Sequence, residues 1–474
     1  MEDHTTCTSA QDSGALRALL ERIDPLLPPE RGSLAKALAR ASYRFMPARH
    51  LDRLDLDTTA RRFARGLAFI ERRLLGAVGL RVEPEPNGTV VEIHVEDAPF
   101  LLATVKAELE QLGFDPVDVL HPVFGVHRDG GRLTQILPAR GAAHLETYLR
   151  LDLPDRLDSC QCIDVAGRLA SVLDDVRRAT RDYEPMSEQL EEIAYATRAS
   201  AGSRYHLAEV DEVIDLLSWL RRDHFILLGC REYDLFGGMV HVRAGSGLGI
   251  LDDEASSAFA NPVAVTDLSS AVRQEVEAGR LLVITRTNRL STVYRHVPMV
   301  YVGVKKVDDG EITGEFRLLG LYAQRALAEP SSQIPILRRK LVDIVTNSDL
   351  VEHSHDERAV RLLFDSFPKH ELFEVDAHAL ALLFSELLEA ARRHEPRVLL
   401  RDEPARQSVS ALVAIPRERF SDEVLLEVQD LVGHWLDGRT GSYRLTMADQ
   451  DMVLLHFRVD GVAGPSGPTE ELER

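Results

Sequence analysis

The stretch from Val90 to Leu137, VVEIHVEDAPFLLATVKAELEQLGFDPVDVLHPVFGVHRDGGRLTQIL, reads as one complete supersecondary unit. Val91, Ile93 and Val95 alternate with Glu92 and His94, which predicts a strand with one apolar face and one wet face. Asp97, Ala98 and Pro99 stop that strand. Proline has no amide to give a ladder but suits a first helical turn, and Asp97 is expected to accept from the free amides that follow. Leu101, Leu102, Val105, Leu109 and Leu112 then recur at helical spacing until Gly113 ends the run. Two extended runs, Val117 to His127 and Arg132 to Leu137, flank Asp129, Gly130 and Gly131 and predict a β-hairpin.

A short strand, an Asp-x-Pro turn, a helix ending in glycine and a hairpin resemble an ACT-type ligand-sensing module. The wording EDAPFLLATVKAEL followed by VLHPVFGVHRDGGRL is similar to the large bacterial NAD-specific glutamate dehydrogenases, whose N-terminal region carries ACT-like and PAS-like modules ahead of the catalytic domain. Simple amino-acid-binding ACT modules have glycine after the turn proline, whereas this chain has Phe100. A buried ring there fills the room a ligand needs, which favours an interface or packing module over a working sensor. On that reading Phe100→Gly costs roughly 2 to 4 kcal/mol.

Working outward, residues 1 to about 14 read as disordered, and helical patterns follow at Ala15 to Leu27, Ser33 to Ala41 and Thr59 to Leu75. Pro84, Pro86, Asn87 and Gly88 mark the turn into the central unit. His144 to Leu153 predicts one more strand and Ile163 to Tyr183 a closing helix. Helical stretches at Glu188 to Arg198 and Leu207 to Arg222 lead to a β-rich region. There FILLGCREYDL and MVHVRAGSGLGIL flank Gly237 and Gly238, and LLVITRT, STVYRHVPMVYVGVKKV and EFRLLGLY supply three more strands. Five strands with small helices after the second resemble a PAS-type barrel. SHDERAVRLLFDSFPKHELFEVD again is similar to the large dehydrogenases, with Ser354 and Glu357 predicting a capping box and Asp376 a further N-cap. Val409 to Ile415, Phe420 to Leu436, Tyr443 to Met447 and Met452 to Val459 repeat strand, helix, strand, strand, which resembles a second ACT-like unit. Glycines and prolines at 461 to 468 and the short TEELER end suggest that its closing helix is cut off and one sheet face left bare.

The formal charge of −20 and the absence of a concentrated basic face argue against nucleic acid. Cys7, Cys160, Cys162 and Cys230 form neither a disulfide ladder nor paired zinc half-sites. The polar start and the lack of a long apolar run predict a cytoplasmic protein with no membrane partner. None of Lys36, Lys106, Lys305, Lys306, Lys340 and Lys369 precedes glycine, so both the Lys-Gly of the dehydrogenase substrate segment and a Walker-type loop are missing. Gly245, Gly247 and Gly249 lack dinucleotide-fingerprint spacing and read as a turn at a sheet corner. His353, His355, Asp356 and Glu357 have no metal-ligand spacing and read as helix capping.

The expected fold is α+β and multi-domain: two ACT-like βαβ-type sandwiches, the second truncated, flank a PAS-like antiparallel sheet and helical segments. The boundaries are 1–85, a disordered start and helical region; 86–183, ACT-like; 184–222, a helical linker; 223–329, PAS-like; 330–400, helical; and 401–474, truncated ACT-like. The resemblance implies a regulatory or assembly region of an NAD-specific glutamate dehydrogenase. Glutamate deamination to 2-oxoglutarate with NAD belongs to the full-length family, and this chain alone is expected to be non-catalytic. Alternatives are a stand-alone amino-acid sensor or interaction protein, or a non-functional truncated product. No catalytic, cofactor-binding or metal residue is expected. Asp97, Pro99, Phe100, Arg286, Arg289 and Arg295 are the candidate effector or interface residues; the arginines have the chemistry to pair with a carboxylate or phosphate, but alternating strand positions that face solvent are the preferred reading. The expected partners are further copies of the chain, a catalytic glutamate dehydrogenase polypeptide or an amino-acid effector.

Overall fold

The computed structural model describes residues 14–461 except 45, 75, 271–272, 274–275, 277–278, 349, 352, 404–407 and 449–451. The expected disordered start and the TEELER end lie outside the described residues. The chain divides into two units: residues 1–180 with Ser291–Val297, and Arg181–Leu290 with residues 298–474.

In the first unit, β1 (Gly79–Glu85), β2 (Gly88–Glu96), β3 (Asp118–Leu120), β4 (Val123–Asp129), β5 (Arg132–Leu137) and β6 (Leu145–Leu153) form an antiparallel sheet. Its order is β1-β2-β6-β4-β5, with β3 also on β6. Four sequence readings need correction. The run containing Pro84 is itself a strand, tolerated because β1 is an edge and needs no ladder amide there. The first arm of the expected hairpin breaks at His121–Pro122, so β3 pairs with β6 and only β4 pairs with β5. Asp97 caps no helix: its carboxylate accepts from the Thr147 hydroxyl, while its amide donates to the Leu145 carbonyl at 3.0 Å.

The largest correction concerns the wet face of β2. Glu92 and His94 are both 1% exposed. Helices Gly14–Ile23, Pro29–Ser42 and Leu56–Ile70 bury Leu19, Leu38, Phe63 and Leu67 together with Phe124, Leu133 and Tyr148 of the sheet. A buried charge is tolerable only when paired. Glu146 accordingly accepts from Arg73 at 2.8 Å, Arg128 at 2.7 Å and His94 at 2.8 Å, while Glu92 accepts from Arg81 and Tyr148. Burial alone would raise the Glu146 pKa, but the bonds from His94, Arg128 and Arg73 outweigh it and hold the carboxyl well below the usual range. The other pleat face, with Val91 opposite Leu151 and Ile93 opposite Leu149, is apolar and fully buried. Helices Leu101–Gln111 and Ser159–Arg181 carry the matching buried stripes Leu101, Val105, Leu109 and Val165, Leu169, Val172.

In the second unit, the central sheet runs β10-β8-β7-β13-β12-β11, with β9 on β7. Its strands are β7 (Phe225–Phe236), β8 (Met239–Val242), β9 (Leu248–Gly249), β10 (Val263–Ala264), β11 (Leu282–Leu290), β12 (Pro298–Asp308) and β13 (Glu311–Tyr322). Gly237 and Gly238 both take positive φ, which suits the tight turn between β7 and β8. Segment STVYRHV, read as the start of a strand, is instead a loop of the first unit, and β12 begins only at Pro298.

The last sheet orders β14 (Arg397–Glu403), β15 (Ser408–Pro416), β17 (Met452–Asp460) and β16 (Arg439–Ala448) as β14-β15-β17-β16. No face of β15 is bare: all nine of its residues are buried. Val409, Ala411, Val413 and Ile415 bury with Leu425, Val432 and Leu436 of helix Asp422–Trp435 and its end. Leu412, Ala414 and Leu454 join the core of helix Ala377–Arg393 through Leu380, Phe384 and Leu387. The face that carries Leu412, Ala414 and Leu454 is therefore covered by a helix that precedes the sheet in sequence, while Leu445 of β16 stays exposed. The cap at Asp376 forms as read, accepting from the Ala379 amide at 2.9 Å; Ser354 accepts from the Glu357 amide at 3.1 Å, but the Glu357 carboxylate takes the His353 amide rather than that of Ser354, so the expected box closes one residue early.

Candidate functional site

Pro99 is exposed, and Phe100 closes the turn with φ 71° and ψ −5°, a left-handed conformation, immediately before helix Leu101–Gln111. The corner they make is filled by the chain itself. The Tyr294 ring lies 5.1 Å from the half-buried Phe100 ring, and the Tyr294 amide donates to the Thr104 hydroxyl oxygen at 2.8 Å. Tyr294 also has positive φ, 71°. The Arg295 guanidinium stacks over the Tyr294 ring at 4.8 Å. His296 lies 3.2 Å from Glu108, a carboxylate that also accepts from Arg168 at 2.6 Å, and Thr292 donates to Asp175 at 2.6 Å. Ser291 and Val293 cross-bond within the loop at 2.7 and 3.1 Å. Loop Ser291–Val297 thus supplies an aromatic ring and a backbone donor to this corner.

The six residues singled out from the sequence fall in different units. Asp97, Pro99, Phe100 and Arg295 belong to the first unit. Arg286 lines a cavity in the second, where its amide donates to Glu374 at 2.7 Å and its guanidinium lies 3.5 Å from Glu371. Arg289 is exposed near the end of β11.

That cavity, of about 560 Å³, was not read from the sequence. Register sets Glu315 opposite both Tyr233 and Lys305, and Arg317 opposite Gly303, so these side chains share one face of β7, β13 and β12. Lys305 donates to Glu315 at 2.5 Å, and the Tyr301 hydroxyl donates to the other oxygen of the same carboxylate. Arg317 donates to the Tyr233 hydroxyl at 3.0 Å and lies over the Tyr233 ring at 4.3 Å and the Tyr301 ring at 5.0 Å. The missed signal was alternation: in EFRLLGLY the charged positions read as a solvent face.

A second buried cluster gathers on Glu371. Arg401 and His370 contact its carboxylate, His456 lies 3.7 Å away, and His456 shares a hydrogen bond of 2.7 Å with Ser410. The same His456 nitrogen faces both Ser410 and Glu371, so the three do not make a nucleophilic relay. Burial lowers the His456 pKa to about 4 and depresses His370 as well. Cys230 is buried with its thiol pushed up to about 12 by that burial, which suits an inert thiol. Among the described residues no cluster of His, Cys, Asp and Glu has metal-holding geometry. Among them, too, no helix is long and apolar enough to cross a membrane.

Residues 38–166 match the glutamate dehydrogenase ACT1 domain, 334–393 the glutamate dehydrogenase helical motif 1, and 397–473 the glutamate dehydrogenase ACT2 domain. This chain belongs to the ACT-bearing region of the NAD-specific glutamate dehydrogenases. It is 24% identical over 464 residues to the NAD-specific glutamate dehydrogenase of Halomonas elongata, covering 93% of this chain and 28% of that protein. With the Mycobacterium tuberculosis enzyme of the same name identity is 27%, covering 81% of this chain and 23% of the relative. The Pseudomonas aeruginosa enzyme shows 25% identity, at 78% and 23%. The chain therefore spans about a quarter of the length of these relatives. The crystal structure of a bacteriophytochrome from R. palustris aligns over 75% of this chain and 74% of its own at 12% identity, with a TM-score of 0.14, which bears no argument about fold.

Proposed function

We propose that this chain is a regulatory and assembly region of an NAD-linked glutamate dehydrogenase system, working in the cytoplasm on glutamate catabolism without carrying the chemistry itself. The observation that supports it most is the pair of ACT-domain matches flanking the helical motif, in the order both sheets take along the chain. Its partners are further copies of itself or the polypeptide that performs the deamination. The filled corner at Phe100 and Tyr294 supports a first ACT module used for packing rather than for sensing an amino acid. Five main strands, with single helical turns at Glu254–Ser256 and Val265–Asp267 after the second, support a PAS-like reading of the central sheet. Purified protein mixed with glutamate and NAD should form no NADH. Glutamate-dependent NADH formation that a substitution within this chain abolishes would overturn the proposal.

A second reading, a small-molecule sensor, is favoured by the cavity at Arg317. A thermal-shift screen of amino acids and organic acids separates the two.

A further inference from the structure

The cavity in the central sheet is lined by both charged and aromatic side chains. Among the described residues its lining holds Arg280, Arg286, Lys305 and Arg317 with Asp234, Glu315 and Glu374, and Arg286 also pairs with Glu371, outside the lining, at 3.5 Å. The carboxylates are already engaged. Asp234 accepts from Arg243 at 2.8 Å and Lys306 at 3.0 Å, two cations outside the lining. Glu315 gives one oxygen to Lys305 and the other to Tyr301.

Arg317 has no hydrogen-bonded carboxylate among the described residues. Its nearest carboxylate oxygen, on Glu315, lies 4.0 Å from Nη2, beyond hydrogen-bond reach. Its Nη1 is taken by the Tyr233 hydroxyl, but a guanidinium carries five N–H donors. The side chain is 28% exposed, against 4% for Lys305. Three rings hold the guanidinium in place: Tyr233 at 4.3 Å, Tyr301 at 5.0 Å and Phe259 at 6.0 Å. Gly303 serves this arrangement, because a Cβ there would meet the Tyr301 hydroxyl at 2.6 Å and displace the ring.

We infer that this cavity binds a small monocarboxylate with an apolar body, whose carboxylate pairs with Arg317 and whose body lies among Tyr233, Phe259 and Tyr301. A fixed, partly desolvated guanidinium recognises a carboxylate through charge-assisted hydrogen bonds, and the aromatic and aliphatic wall suits the remainder. Among the described lining residues each carboxylate already has a partner, so an ammonium group gains less there than a carboxylate gains at Arg317. The inference concerns binding alone, and its failure leaves the NAD assay above unaffected.

The experiment is calorimetric titration of the full chain with 3-phenylpropionate and with 3-phenylpropylamine, which share a body and differ in charge. The carboxylate should bind with a Kd below about 1 mM and the amine should not bind. Arg317→Gln should weaken carboxylate binding by about tenfold or more. Leu235→Trp, which narrows the cavity without touching a charge, should also abolish binding, and it decides the question if the Arg317 variant does not fold. No binding of the carboxylate to the unmodified chain, equal binding of the amine, or carboxylate affinity unchanged in a folded Arg317→Gln or Leu235→Trp protein would each overturn the inference.

Discussion

The two ACT-type modules run through the same string of strand, helix, strand and strand, yet they bury opposite chemistry. In the first, one pleat face of β2 presents Glu92 and His94, and the cover from the helices before it must bring arginines to match. In the second, β15 is apolar on both faces apart from Ser408 and Ser410, and the helical segment before it brings the buried acid Glu371 to Arg401 of the sheet. Each sheet is closed on its second face by helices lying N-terminal to it in sequence. The working unit is therefore the sheet together with the helices ahead of it, and a sheet excised alone would expose either unpaired charge or apolar surface.

The sharpest way to break this comparison is Glu146→Ala in the first module. It leaves Arg73 and His94 buried without their carboxylate and Arg128 short of one, so stability should fall by about 3–5 kcal/mol, read as the shift in the urea midpoint. In the second module, Arg401→Ala removes one of several groups on Glu371 and should cost less than half as much. Equal losses would mean that the two buried clusters do the same job.

Acid should weaken the second module through His456, which Glu371, His370, Arg286, Arg401 and Ser410 surround. Burial lowers its pKa from 6.5 to about 4, below the unfolded value. Above pH 6.5 neither state holds the proton and nothing is lost. As pH falls from 6.5 to 4 the unfolded chain binds the proton first, and stability should drop by up to about 3 kcal/mol before the contribution levels off. His456→Gln should flatten that part of the pH profile. His94 is depressed by burial too, so His94→Gln separates the share of the first sheet from that of the second. A profile of the same slope in His456→Gln would remove the histidine from the account.

Periodicity made the strands and helices legible because it follows from backbone geometry, and the caps at Ser354 and Asp376 were legible because they are local. What covers a face was not. Glu92 and His94 read as wet because alternation reports polarity, whereas burial depends on Arg73, some twenty residues away, and on Arg128 and Glu146, brought in by other strands. Tyr301, Lys305, Glu315 and Arg317 were hidden for the same reason: their row exists only after β12 and β13 are set in register. STVYRHV has the alternation of a strand, but Tyr294 at positive φ and the bond to Thr104 take it out of the sheet. Tertiary contacts overrode local pattern there.

The smallest expected effect tests the corner itself. Reading the sequence alone, Phe100→Gly should cost roughly 2 to 4 kcal/mol, because a fully buried ring is lost and backbone freedom gained. The structure changes both parts of that sum. Phe100 is only half-buried, with Tyr294 5.1 Å away, so removing the ring forfeits an aromatic pair and partial burial. Its φ of 71° is a conformation that costs an L-residue about 1 kcal/mol or more and glycine almost nothing. Relief of that strain offsets much of the loss, and the net cost should be about 1 kcal/mol or less. Phe100→Ala loses the ring and keeps the strain, so it should be less stable than Phe100→Gly by about 1 kcal/mol. The second module offers the contrast, since its helix opens on Ser421 in an extended conformation, φ −144°, with a side-chain cap to the Val424 amide. Urea denaturation of the two Phe100 variants side by side settles the order. If alanine is the better replacement, the turn is not left-handed and loop Ser291–Val297 does not sit against it as described.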